Sequence, residues 1–334
     1  MSLTRRHALL TAAGFAGACA TPPQAPAGWS ARAPLPWPAQ EIYCAVAGGR
    51  VYVAGGLTEP PSGERGVRIL DGTAVYDPRA DRWTAGPRLP SPTHHPVMAS
   101  AAGRVFAIGG FGAVAQGQWA ARTEVLALDG DRWISAAALP RPQSESVALE
   151  HAGRIHLITG RTPGGPANAN WQDQVDTDAH RVFDPQTGRW TDARPAPAPR
   201  NSAAGAVIDG RLYLVGGRTV GGGNMDRLDR YDPRADRWDA LAPLPQASGG
   251  LAAAALGGRL YAFGGEYFGE AGGGVYPHTW VYDPASDRWA AGPPMLTSRH
   301  GLAGAAVGGA VLAIGGAARA GARNTSAVVE ALRA

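Results

Sequence analysis

Six short windows of this chain gather residue types that grip anions and move protons. Each begins sixteen residues before a doublet. The doublet is Gly-Gly in five copies (Gly55-Gly56, Gly109-Gly110, Gly216-Gly217, Gly264-Gly265, Gly315-Gly316) and Thr159-Gly160 in the sixth. The first window position holds Ala39, Thr93, Gln143, Arg200, Ser248 and Arg299, and the second holds Gln40, His94, Ser144, Asn201, Gly249 and His300. The third holds Glu41, His95, Glu145, Ser202, Gly250 and Gly301. Just after the doublets stand Leu57, Phe111, Arg161, Arg218, Glu266 and Ala317. Arg200, Arg299, Arg161 and Arg218 carry planar forks that hold a carboxylate through paired hydrogen bonds. Glu145, Glu266, Glu41, His94 and His300 have the chemistry for proton transfer. Glu145 and Glu266 are therefore the catalytic candidates. Arg200, Asn201, Arg299, His300, His94, Arg161 and Arg218 are the candidate ligand contacts.

Two long segments after the doublets add recognition chemistry. Arg161–Arg181 contains Asn168, Asn170 and Trp171, and Glu266–Trp280 presents Tyr267, Phe268, Tyr276 and His278 among glycines. Trp171 and Tyr267 join the candidate ligand contacts, because aromatics beside amides and carboxylates suit a sugar or peptide face. His94-His95 invites a metal reading. Neighbours in an extended strand point to opposite faces, so the pair is not expected to share an ion. No metal site and no cofactor are expected. The chain has no Lys, which removes Schiff-base chemistry and a phosphate-loop lysine. The formal charge is +4, spread among arginines with no basic run, so nucleic acid is not an expected partner.

Elements that position these windows follow from a repeat. The octapeptide YDPRADRW occurs at Tyr76–Trp83 and Tyr231–Trp238, with looser copies FDPQTGRW at Phe183–Trp190 and YDPASDRW at Tyr282–Trp289. Turn glycines Gly49, Gly103, Gly153, Gly210, Gly258 and Gly309 stand six residues before the doublets, about 52 residues apart on average. From each Trp to the next doublet the count is always 26: Trp29, Trp83, Trp133, Trp190, Trp238 and Trp289. A constant segment means fixed strand geometry, and a variable one means surface loops. Each unit reads as four short strands, a to d. A tight turn joins a to b, the doublet ends b, Asp-Pro turns c into d, and the Trp lies on d. Gly (47) and Pro (28) supply this turn chemistry. The sixth unit has a candidate strand c at Ser326–Leu332 and then no Trp. Trp29–Pro36 parallels Trp83–Pro90, so the N-terminal strand is expected to complete the last unit.

The doublets, the Tyr-Asp-Pro turns and the spaced Trp residues resemble the kelch-repeat β-propeller family. The resemblance covers nearly the whole chain after residue 28 and weakens in unit two, where Leu128-Asp129-Gly130 replaces Tyr-Asp-Pro, and in unit three, at Thr159. It implies an all-β fold, a six-bladed kelch-type β-propeller over 29–332. It also implies that the windows and the b–c loops share one face. In such repeats an Arg at the Arg200/Arg299 position can also bond backbone carbonyls between blades.

Residues 1–20, with Arg5-Arg6 before an apolar run from Ala8 to Ala18, resemble a twin-arginine signal peptide. Residues 21–28 read as a Pro-rich linker. The run is too short to span a bilayer. Cleavage after Ala20 gives a periplasmic or secreted protein, and the alternative is a lipid anchor at Cys19. The expectation is a monomeric, exported binding module for a glycan, acidic sugar, peptide or protein. The alternative is a sugar isomerase similar to the kelch-type sialic acid mutarotases, with a Glu acid/base and an Arg carboxylate clamp.

Overall fold

A computed structural model describes residues 28–60, 66–114, 118–269 and 272–333. The signal-like segment and nearly all of the Pro-rich linker lie outside them. Six four-stranded antiparallel sheets carry the fold, each with strands in the order a-b-c-d. Blade 4 is representative: Ala204–Ile208, Arg211–Val215, Leu228–Asp232 and Arg237–Leu241. The six inner strands touch one another in a closed cycle, blade 1 to 2 and onward to 6 and back to 1. The ring closes as the repeat predicts. Trp29–Arg32 pairs antiparallel with Val329–Arg333, Trp29 opposite Leu332. Strand c of blade 6 is shorter than the expected Ser326–Leu332, because Ser326 is turned aside to bond Gly316 O and Ala39 N. No helix among the described residues is long and apolar enough to cross a membrane.

The octapeptide is a clamp between blades. In all six blades the strand-d Trp donates its indole Nε1–H to a carbonyl just past strand d of the preceding blade: Ala33, Pro87, Ala137, Arg194, Ala242 and Pro293. In three blades an Asp accepts the backbone N–H of that same residue: Asp81 from Ala33, Asp236 from Arg194, and Asp287 from Ala242. Each of these Asp residues also accepts the octapeptide Tyr hydroxyl at 2.6 Å. Where the gripped residue is Pro87 or Pro293 there is no N–H to satisfy. The Asp of each Asp-Pro pair accepts the N–H two residues on, at 2.9 Å, and so closes the turn.

The doublets set how closely blades approach. Gly216 has φ +63°, and a Cβ there would lie 2.7 Å from Ser248 O of the next blade. Gly217 N then bonds that same carbonyl at 2.9 Å. Glycine suits this left-handed, crowded position best, although blade 3 accommodates Thr159 there with φ 57°. Strand b therefore delivers the residue after each doublet, Arg218 in this blade, straight onto the loop face.

Candidate functional site

On the loop face the third window positions form a ring about the propeller axis. All six have left-handed backbone: Glu41 (φ 54°), His95 (53°), Glu145 (51°), Ser202 (50°), Gly250 (66°) and Gly301 (58°). Five links of an interblade chain join them. His95 N donates to Glu41 O, Glu41 N to Gly301 O, Gly301 N to Gly250 O, Gly250 N to Ser202 O, and Ser202 N to Glu145 O. The second window positions pair with the residues after the doublets, as in Ser144 with Arg161, Asn201 with Arg218 and His94 with Phe111. Beneath the ring a narrow cavity of about 90 Å³ lies between the inner strands.

Above the ring lies a cavity of about 450 Å³. Glu41, His95, Arg161, Arg218 and Glu266 supply its polar lining, and Trp119, Trp171, Phe268 and Leu57 its apolar walls. The long loop of blade 3 is pinned over it. Asn168 exchanges two hydrogen bonds of 2.9 Å with the backbone of Ala121, which brings Trp171 edge-on to Trp119. Arg161 lies 3.9 Å over the Trp171 ring, a cation–π contact.

Charges in the site are mostly paired. Arg161 Nε is 3.1 Å from Glu145 Oε1, Arg218 Nη1 bonds Glu266, and Glu266 also accepts Gly321 N–H at 2.8 Å. Burial lowers the pKa of Arg161 despite Glu145. Burial also pulls Arg218 down, but Glu266, Glu145 and Glu41 raise it above the usual value. Glu41 differs from the other two carboxylates in being paired, among the described residues, with imidazoles and with no arginine. His95 Nε2 is 2.9 Å away, and His300 Nδ1 is 3.8 Å away. Burial alone would raise its pKa, but His95, His300 and Arg218 hold it well below the carboxylate range.

Several predicted site residues fall elsewhere. Arg200 and Arg299 are fully buried and cannot form the expected clamp. Arg200 Nη2 bonds Asp229 at 2.8 Å and Leu214 O. Arg299 bonds the carbonyls of Gly315 and Val328 and faces Glu330. Each ties strand a to strands b and c of its own blade, not to a neighbouring blade. An unpaired guanidinium could not be buried so completely. Glu145 lies under the floor, held by Arg161 and by the Ser202 hydroxyl at 2.7 Å. Asn201 accepts from Arg218 and donates to Asp176, behind the cavity wall. His300 shares its Nε2 between Arg319 O and Gly321 O below the rim. Tyr267 sits outside the mouth.

The two adjacent histidines also correct an expectation. His95 is in the left-handed region, so the chain is not extended there and the rings converge: His94 Nδ1 and His95 Nδ1 are 2.7 Å apart. Burial and the neighbouring His95 push the His94 pKa well below the histidine range. Trp119 was missed. Six of the ten Trp residues are the interblade clamps, so the four outside strand d, Trp37, Trp119, Trp171 and Trp280, were the signal to follow.

The Kelch motif family model matches residues 199–245 and 247–296. The chain is 33% identical over 89 residues to human Kelch repeat and BTB domain-containing protein 12, covering 25% of this chain and 14% of that protein. It is 26% identical over 194 residues to Kelch-like protein terF of Aspergillus terreus, covering 57% of this chain and 41% of that one. It thus spans less than half the length of these curated relatives. The solved structure of YjhT superposes with a TM-score of 0.75 at 17% identity, covering 90% of this chain and 96% of that one, a likeness of fold. With its doublets, clamped octapeptides and ring of four-stranded sheets, the chain carries Kelch motifs over residues 199–296 and has the fold of a kelch-repeat β-propeller.

Proposed function

We propose that this propeller binds a saccharide in the axial cavity of its loop face. One observation carries the reading: aromatic walls, the carboxylates of Glu41 and Glu266 and the guanidiniums of Arg161 and Arg218 converge on a single cavity at the axis. A pyranose offers an apolar CH face to Trp119, Trp171 or Phe268 and hydroxyls to Glu41, Glu266 and Arg218. Arg161 Nη1 is buried with no partner among the described residues and suits a carboxylate oxygen of an acidic sugar. The test is a thermal-shift and calorimetric screen of neutral and acidic monosaccharides, including glucuronate and N-acetylneuraminate. A hit should weaken at least about tenfold in Arg161→Ala, a loss of roughly 1.4 kcal/mol. A hit that survives both Arg161→Ala and Trp171→Ala sinks the cavity as its site.

A second reading, a sugar isomerase resembling the sialic acid mutarotases, is favoured by the Glu41–His95 contact of 2.9 Å beside two guanidiniums. Glu145 and Glu266 are both locked by arginines, so proton transfer passes to the Glu41–His95 pair, with the ionised Glu41 orienting the His95 imidazole. Accelerated anomer exchange, followed by NMR and abolished in Glu41→Gln, would establish it. We also infer export through the twin-arginine route, from Arg5-Arg6 and the apolar run after them. Fractionation of cells carrying R5K/R6K should find the protein retained in the cytoplasm.

A further inference from the structure

We propose that the cavity binds an acidic sugar together with one proton, which the adjacent histidines His94 and His95 take up, so that affinity for the acid rises as pH falls. The proposal rests on the saccharide reading above and adds how that site is regulated.

His94 Nδ1 and His95 Nδ1 stand 2.7 Å apart, a distance at which two ring nitrogens share a single proton. One imidazole must donate and the other accept. The carboxylate of Glu41 decides which. Its Oε2 lies 2.9 Å from His95 Nε2, and His95, His300 and Arg218 keep it ionised against burial. A bare His95 Nε2 would set a lone pair against that carboxylate, so Nε2 carries the His95 proton. His95 Nδ1 then accepts, His94 Nδ1 donates, and His94 Nε2 is left bare. That atom is buried without a hydrogen-bond partner among the described residues. Its ring is stacked on Phe111 at 5.1 Å and edge-on to Trp119 at 4.3 Å. One further proton from solvent changes the arrangement without moving a heavy atom. It settles on His94 Nε2 while the shared proton crosses to His95 Nδ1. His94 stays neutral. His95 becomes an imidazolium whose two N–H groups face Glu41 and His94, and its ring lines the cavity. Without an acceptor at position 94 the new Nδ1–H would be buried unpaired.

Surrounding charges decide when that proton binds. Near His95 stand Glu41 and Tyr43 of blade 1, His94 with Arg122 close to it in blade 2, and Arg161 of blade 3. Arg218 and Glu266 face it across the cavity, with His300 beside Glu266 at 3.4 Å. Burial keeps Tyr43 neutral, its pKa well above the usual tyrosine value. Burial and the His95 ring hold the His94 pKa well below the histidine range, with Arg122 adding to them and Glu41 opposing. Desolvation and two guanidiniums therefore resist one more positive charge. A ligand carboxylate on Arg161 Nη1 reverses the balance. Arg161 and His95 border the same Trp171 ring, at 3.9 Å and 6.4 Å, so the anion arrives close to the imidazole and favours its charged form. By reciprocity the proton strengthens binding of the anion, and a neutral sugar does neither.

The experiment is calorimetry of the purified full chain with glucuronate and N-acetylneuraminate, and with N-acetylglucosamine as the neutral control, in buffers of low and high ionisation heat at about pH 8, 7 and 6. For the acid that binds, the buffer dependence should report uptake approaching one proton, and affinity should rise by up to about tenfold per pH unit. The sugar carboxylate stays ionised over this interval and supplies no proton change of its own. The neutral sugar should show neither effect. His94→Phe and His95→Gln should each abolish the uptake, and a melting temperature close to that of the unaltered chain verifies the fold. The unaltered chain gives a reading that needs no variant. In NMR spectra of isotope-labelled histidine at pH 7, the acid should convert one singly protonated imidazole to the doubly protonated form. Binding of the neutral sugar alone, acid binding without proton uptake, or uptake that survives both variants and is lost in His300→Gln overturns the proton coupling and leaves the saccharide site standing. Absence of binding by acids and neutral sugar at all three pH values overturns both.

Discussion

At the scale of single residues, the octapeptide couples a hydroxyl to a carboxylate five positions on. Tyr282 donates to Asp287, which in turn accepts Ala242 N–H from the preceding blade. The chain contains its own control. Blade 3 has Phe183 in place of Tyr and Gly188 in place of Asp, so donor and acceptor are missing together. Gly188 has φ +67°, near the +52° of Asp287, so the backbone there already suits an Asp. Phe183→Tyr alone buries a hydroxyl without an acceptor and should destabilise. Adding Gly188→Asp should recover about 1 kcal/mol as a positive coupling in a urea double-mutant cycle. Tyr282→Phe should lose about the same, and additive behaviour in the cycle would refute the clamp. The site residues were legible unevenly at this scale. Arg161, Arg218 and Glu266 could be placed because the residue after a doublet must emerge on the loop face. Arg200 and Arg299 were misplaced because their partners, Asp229 and Glu330, lie on another strand and outside any repeated motif. The left-handed third position was visible in Gly250 and Gly301, but its meaning for Glu41 and His95 required the backbone itself.

At the scale of elements, the closing strand is the fold's most exposed dependency. Trp29–Arg32 contributes four residues, yet without it strand c of blade 6 becomes an open edge. Trp29 is 6% exposed, packs edge-on against Phe263, and donates to Thr279 Oγ1 and Pro293 O. Trp29→Ala should therefore cost about 3–5 kcal/mol. Trp238→Ala, in a half-buried blade clamp of the same type, should cost less. Chemical denaturation of the two variants makes the comparison, and equal losses would mean that closure adds nothing beyond one more interblade contact. This element was readable beforehand because the 26-residue count runs through Trp29 as through the other five. The b–c ribbons were not, since their lengths vary and their pairing depends on what each one covers. Blade 3's loop is fixed in part by Asn168 bonding Ala121, a contact 47 residues apart in sequence.

At the scale of the whole molecule, stability rests on seams between blades, and one seam is sensitive to acid. Between blades 3 and 4, His156 Nδ1 lies 2.8 Å from His180 Nε2, and His180 Nδ1 lies 3.2 Å from Arg194 O. Neutral imidazoles satisfy this chain when His156 donates to His180 and His180 donates to the carbonyl. His180 also packs edge-on against Tyr231 and Trp238 of blade 4, and the Trp238 indole bonds the same Arg194 carbonyl. Burial depresses both histidines, His156 to about 3, helped by His180, His151 and Arg154, and His180 to about 4, with the Arg194 carbonyl and Asp236 opposing. Native histidines that stay neutral while unfolded ones protonate near pH 6.5 mean that the unfolded chain binds more protons across this interval. Stability should therefore be full above about pH 7 and fall as pH drops below the ordinary histidine range, before most carboxylates titrate. The fall between pH 7 and pH 5 should be roughly 2–3 kcal/mol for the coupled pair. A His156→Gln/His180→Gln variant, less stable at pH 7, should show a flatter profile over the same interval. If wild type and variant lose stability in parallel from pH 7 to pH 5, the seam is not the acid-sensitive joint of this propeller.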